Sequence, residues 1–311
     1  MPNRPLPITR RRSCYAWLLA AAAVGVSGGC AAFGMRSPEA DALARCRDYA
    51  CRGATALEIG KWGQAEQLLR KAVEESPTDA MTRRHLAETL WQQGQQAEAV
   101  AHLRLAVERE PTDASSTVRL GEMLLARREL IEARELAERA VALDDKNPRA
   151  WALRGRAHHE LGDPERGLAD LHNALRLAPD EREVLSHVAR IYSQRGMPRR
   201  QLTTLHRLAD TYPPGEAPPG LLADEGAAYL ALGRPQLAVE RLRMAAASGK
   251  GDARLLYRLA TAEEAAGHAD RARFAAEQAL VADASHTPSQ QMLARLSTSG
   301  VAAAGLPAPV R

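Results

Sequence analysis

Few groupings of side chains in this 311-residue sequence have the types and spacing for chemistry. His158 and His159 are adjacent, but no carboxylate or second histidine follows at a helical ligand spacing that would complete a first coordination shell. They read as surface histidines, and no metal or other cofactor is expected. The serines lack the strand-to-helix elbow of a nucleophile, and the glycines are spread out, not gathered into a phosphate-cradling loop. No catalytic residue is assigned, and the chain reads as not an enzyme. What remains is recognition chemistry. Arg84, Arg119, Arg156 and Arg190 recur once per repeating unit, accompanied by His85, Glu88, Glu122, His159 and His187. A guanidinium fork can hold carboxylates or backbone carbonyls through paired donors. Whether these side chains share a face depends on the elements that carry them.

Those elements are set by a pattern clearest between Met81 and Pro111. Leu86, Ala87 and Leu90 fall on one stripe of a helix, Gly94 permits a tight turn, and Ala99, Leu103 and Ala106 form the stripe of a second helix. Pro111 ends the unit because it lacks an amide donor and clashes with a continuing helix. Alanine at Ala87 and Ala99 lets the two backbones approach. The pivot returns at Gly60, Gly162, Gly196, Gly233 and Gly267, with Arg128 in the turn slot of the third unit. The spacing is 34 residues over most of the chain. The fifth unit places Gln201 and Leu208 where small residues are expected, which predicts a local distortion. Pro214 to Gly220 cannot be helical throughout and reads as an insertion between units.

The period, the small-residue spacing and the closing proline resemble the tetratricopeptide repeat family over about residues 46–286. The resemblance implies an all-α fold, a right-handed superhelical solenoid of about seven helix-turn-helix repeats. Repeats one to five occupy 46–213, the Pro/Gly insertion 214–220, repeats six and seven 221–286, a capping helix 287–297, and a disordered tail 298–311. In that family the first helices line a concave groove that commonly holds a partner polypeptide. The register puts Arg84, His85, Glu88, Arg119, Glu122, Arg156, His159, His187 and Arg190 in groove-facing slots. An extended, acid-bearing protein segment is the ligand this row would suit. A solvated face whose Arg and Glu neutralise one another at helical spacing accounts for the same residues. Chaperone-binding members grip a C-terminal carboxylate with asparagine and lysine in these slots; those asparagines are absent here.

The net charge of +4 sits at the front of the chain, where Arg4, Arg10, Arg11 and Arg12 face no acid before residue 30. The rest balances, so nucleic acid is not an expected partner. Arg10 to Arg12, the apolar run Tyr15 to Val26 and the small residues Ser27 to Gly29 describe an export signal over 1–29. Its end resembles a bacterial lipoprotein signal, which implies acylation of Cys30 and an anchor facing the periplasm. Ser27 stands where that family prefers an aliphatic residue. Residues 30–45 would then hold the tether and the start of the first helix, with Ser37 and Pro38 at its N-terminus. Cys46 and Cys51 are five residues apart, too far on a helix for a disulfide. The alternative is an exported soluble or signal-anchored protein with a small-ligand or enzymatic role near the 213–220 insertion.

Overall fold

The six pivot glycines, Gly60, Gly94, Gly162, Gly196, Gly233 and Gly267, all adopt positive φ, between 62° and 89°. Arg128, in the seventh slot, does the same at 66°, where an L side chain costs about 1–2 kcal/mol. Each therefore sits at a bend after a first helix, as the spacing predicts. The computed structural model describes residues 38–247 and 252–304, and these form fifteen α-helices with no strand among the described residues.

The chain divides into two compact units, meeting in sequence at Arg127 and Arg128. The first contains α1 (Pro38–Glu58), α2 (Trp62–Glu75), α3 (Ala80–Gln92), α4 (Gln96–Arg109) and α5 (Ala114–Ala126). The second runs through α6 (Leu130–Leu143), α7 (Pro148–Glu160), α8 (Pro164–Leu177), α9 (Arg182–Gln194) and α10 (Pro198–Ala209). It continues with α11 (Pro219–Ala231), α12 (Pro235–Ala247), α13 (Ala253–Ala265), α14 (Ala269–Ala282) and α15 (Thr287–Ala304). Within each unit successive helices pack as hairpins and stack on their neighbours, the arrangement of an α solenoid.

The interior is built from the predicted stripes. In the first unit Ala65, Leu69, Ala72, Leu86, Ala87, Leu90, Ala99, Leu103 and Ala106 are all buried. In the second, a continuous core runs from Leu168 through Leu185, Val188 and Leu205 to Tyr229 and Leu242. Aspartate and asparagine caps start several first helices: Asp79 accepts from the Thr82 amide at 2.7 Å, Asp113 from Ser115 at 3.0 Å, Asn147 from Arg149 at 3.0 Å and Asp252 from Leu255 at 2.7 Å. Each satisfies an amide that the helix itself leaves unpaired.

Several boundaries differ from the sequence reading. In the fifth hairpin Gln201 and Leu208 are both buried in α10, which is helical throughout and, at 12 residues, the shortest helix among the described residues. The insertion gives up Pro219 and Gly220 to the first turn of α11, where a proline's missing amide costs nothing. The last helix reaches Ala304, beyond the 287–297 expected, because Ala302 to Ala304 add strong helix formers to its end. Met292 and Leu296 do cover the hairpin before it, packed with Ala272, Ala275 and Ala276. The first helix begins at Pro38, and Cys46, buried, and Cys51, exposed, are both free thiols within it. The export signal, Cys30, Ser37 and the end of the tail lie outside the described residues. No described helix is long and apolar enough to cross a membrane.

Candidate protein-binding face

In the first unit, α3 carries Arg84, His85 and Glu88, and α5 carries Arg119 and Glu122. Both arginines are engaged with the neighbouring first helix. Arg119 donates from Nε to Glu88 Oε2 at 2.9 Å and from Nη2 to Glu88 Oε1 at 3.0 Å, and also from Nη1 to Glu122 at 3.3 Å. Its guanidinium lies 5.9 Å from the Trp91 ring. Arg84 pairs with Asp113, the cap of α5, donates to Ser116 Oγ at 3.2 Å and lies 3.6 Å from Glu110. The arginine row here ties α3 to α5. The compensation runs between helices, with the Arg119–Glu122 pair as the one contact at helical spacing in this group. His85 is depleted of charge by burial and then by Arg84, which hold its pKa below the usual imidazole range, and its Nδ1 is buried without a hydrogen-bond partner.

In the second unit, α7 presents Arg156 and His159 while α9 presents His187 and Arg190. Their ties are looser. Arg156 donates from Nη1 to Glu183 at 2.6 Å, but its Nε is buried with no acceptor. His159 bonds through Nε2 to Gln194 Oε1 at 2.7 Å, leaving Nδ1 buried and unpaired. Arg190 is 3.8 Å from Glu160, a carboxylate that also pairs with Arg128, and its side chain is 49% exposed. His187 sits between these cations. Burial first, then Arg156 and Arg190, lower its pKa to about 3, so its imidazole is neutral at ordinary pH. Arg156, His159, His187 and Arg190 thus share the face of α7 and α9, opposed by Glu183 and Glu160, and the two arginines are its donors because His159 spends its Nε2 proton on Gln194. An acceptor group arriving here would meet the half-exposed Arg190 guanidinium, whose fork of donors suits a carboxylate.

The two units therefore treat the predicted row differently: all nine side chains lie on first helices, but Arg84 and Arg119 are closely braced by carboxylates, whereas Arg190 is half exposed and loosely paired. The carboxylates that engage the row, Asp113, Glu160 and Glu183, were not anticipated. Two of them stand at helix ends, and a capping residue at the start of α5 is the one signal that was readable in advance. His158 departs from the surface position expected of it. It turns into the α7–α8 hairpin, its Nε2 3.8 Å from Asp170, a buried carboxylate held bidentately by Arg154 at 2.7 and 2.9 Å. That carboxylate attracts the ring because the crossing of α7 and α8 leaves it little contact with water. Among the described residues no three of His, Cys, Asp or Glu gather in a group that could hold a metal ion.

Comparison with known proteins agrees with this architecture. Two family models described as tetratricopeptide repeat match residues 115–285 and 56–116. No curated protein sequence matches the chain. Among solved structures, the chain is similar to the APC/C hetero-tetramer Cut9-Hcn1, with a TM-score of 0.62 at 14% identity, covering 80% of this chain and 48% of that one. It thus spans about half of that longer protein. A tetratricopeptide repeat protein from Parabacteroides merdae gives a TM-score of 0.59 at 14% identity, covering 82% of this chain and 99% of that one. PilW, a type IV pilus biogenesis factor, gives 0.59 at 17% identity, covering 64% and 90%.

Proposed function

The chain belongs to the tetratricopeptide repeat family, and from that premise we propose that it is a protein-interaction scaffold, binding an acidic stretch of a partner polypeptide on the α7–α9 face. The observation that carries this reading is the loosely compensated arginine pair there: Arg190 is 49% exposed and 3.8 Å from a carboxylate it shares with Arg128, and Arg156 is tied through one nitrogen to the exposed Glu183. A hydrogen bond to a charged group contributes about 1.5–3 kcal/mol, so a ligand that offers carboxylates to these guanidinium forks gains more than one that offers neutral acceptors. A carboxylate-bearing segment can compete with Glu183 and Glu160 for the two guanidinium groups. The Cut9-Hcn1 structure, a hetero-tetramer, is a precedent for a similar fold assembling with other chains. In the first unit the bidentate Arg119–Glu88 pair consumes the equivalent donors, and that face acts as a brace.

The scaffold is placed outside the cytosol in this reading, held by an acylated Cys30 at the membrane surface and facing the periplasm. Its support is the sequence of 1–30: three arginines, a short apolar run and small residues before the cysteine. More than one acyl chain would be needed for a stable anchor.

Capture from detergent-solubilised membranes tests both parts. The full chain should retain a partner that Arg156→Glu with Arg190→Glu releases while helicity is unchanged. Cys30→Ala should move the protein from the membrane fraction without altering capture. A partner retained by the doubly reversed chain would remove the α7–α9 face from the account, and membrane retention of Cys30→Ala would remove the lipid.

A further inference from the structure

One of only two phenylalanines in the sequence stands on the outward side of α14. Phe274 is 63% exposed, whereas an aromatic ring of its size is usually kept for cores and interfaces. A single exposed apolar side chain needs no explanation, but this one stands on the rim of a cavity. The cavity is about 380 Å³ and is walled by Leu259 of α13, Ala275 of α14, Arg243 of α12 and Glu263 of α13. An apolar cavity of about 150 Å³ already admits a benzene ring. The four charged residues lining the Phe274 cavity, Arg243, Glu263, Asp270 and Arg271, balance in sign, and Glu263 is buried, bonded to Arg243 on one side and to His268 Nδ1 at 2.8 Å on the other.

Charges around the ring decide what would cover it. Arg271 lies three residues before Phe274 and Glu277 three residues after, both exposed and both without an ion-pair partner among the described residues. Asp270 and Arg273 complete a face with two charges of each sign. Such a face complements itself. If two copies of α14 pair antiparallel about a two-fold axis at Phe274, ring meets ring beside both cavities. Arg271 of each copy then faces Glu277 of the other. The contact is isologous and closes as a dimer.

We propose that the protein forms a homodimer through α14, with Phe274 as its central anchor and the reciprocal Arg271–Glu277 pairs as its register. The surface lies on a second helix, so it leaves the first-helix face of the proposed function free in each copy, and the two readings stand or fall separately. A central aromatic anchor of this kind commonly carries 2 kcal/mol or more of association, about a thirtyfold change in the dissociation constant.

Sedimentation equilibrium of the full chain in density-matched detergent, over a concentration series, tests it. The unaltered chain should dimerise. Phe274→Asp and Arg271→Glu should each weaken the dimer at least about tenfold, with circular dichroism unchanged because both positions are exposed. Arg271→Glu combined with Glu277→Arg should restore it, which a merely misfolded variant would not. A chain that stays monomeric throughout, a dimer indifferent to Phe274→Asp, or a paired reversal that fails to restore association overturns the proposal. A monomeric chain that instead binds a different protein through Phe274 also overturns it, and assigns the face to that partner.

Discussion

Replacing Gly155 with alanine puts the packing of the hairpins under the sharpest test. A Cβ at Gly155 would lie 2.8 Å from the carbonyl oxygen of Gly167, 2.8 Å from Leu171 Cγ and 3.1 Å from the Leu171 amide nitrogen. Two of these three atoms are backbone, so the clash cannot be relieved by turning a side chain; α7 and α8 must part. Gly167 faces the reverse problem, 2.9 Å from the Gly155 oxygen. Overpacking of this kind costs about 1–3 kcal/mol. Against it, alanine is favoured over glycine in a helix interior by about 1 kcal/mol. The sum is a net loss of up to about 2 kcal/mol, local to α7–α8 because repeat stability is a sum over neighbours. Native-state hydrogen exchange reads it directly as a drop in protection of α7 and α8 amides relative to α2 and α3. If Gly155→Ala protects those amides as well as glycine does, or better, the close crossing of these helices is wrong.

Other outcomes follow from the same geometry. Gly94→Ala should cost about 1–2 kcal/mol in denaturant unfolding through its φ of 81° alone, since nothing lies within 4 Å of the new methyl, and Arg128→Gly should recover about 1 kcal/mol, less what its exposed pair with Glu160 contributes. Arg119→Ala should cost about 1 kcal/mol, because it breaks a half-exposed bidentate tie to Glu88, and calorimetry should see the first unit melt earlier with the second unchanged. His187, whose folded pKa is about 3 against an unfolded value near 6.5, contributes stability that is complete above the unfolded value and is lost as pH falls through the window between the two. At pH 5 the loss should be about 2 kcal/mol, and His187→Gln should flatten that limb of the unfolding curve. A limb unchanged by the substitution would mean that His187 is not held neutral.

Most of the scaffold was readable because its determinants are local. A residue that must turn with φ positive is glycine unless something compensates, and so the spacing of Gly60, Gly94, Gly162, Gly196, Gly233 and Gly267 marked the bends. Even the exception was marked by position: Arg128 occupies the slot its register requires, and takes the strained conformation. The face was less legible. Arg84 and Arg119 read as open donors because their acceptors, Asp113 and Glu88, lie about one repeat away and meet them only when first helices stack. Buried polar residues inside helices carry no signal of their burial for the same reason. Asp170, Glu225 and Glu263 look like ordinary solvated carboxylates in sequence, yet they are buried against Arg154, Arg241 and Arg243. His158 was drawn inward by the first of these. Where α15 would end was set by alanine-rich propensity that no packing stripe announces.

Fluorescence anisotropy of a labelled glutamate-rich peptide titrated with the full chain bears most directly on the recognition role. The peptide should bind saturably and more weakly as salt rises, Arg156→Glu with Arg190→Glu should abolish binding, and Arg84→Glu should leave it nearly unchanged because Asp113 already occupies that guanidinium. No saturable binding, or binding that survives the double reversal on α7 and α9, would contradict it.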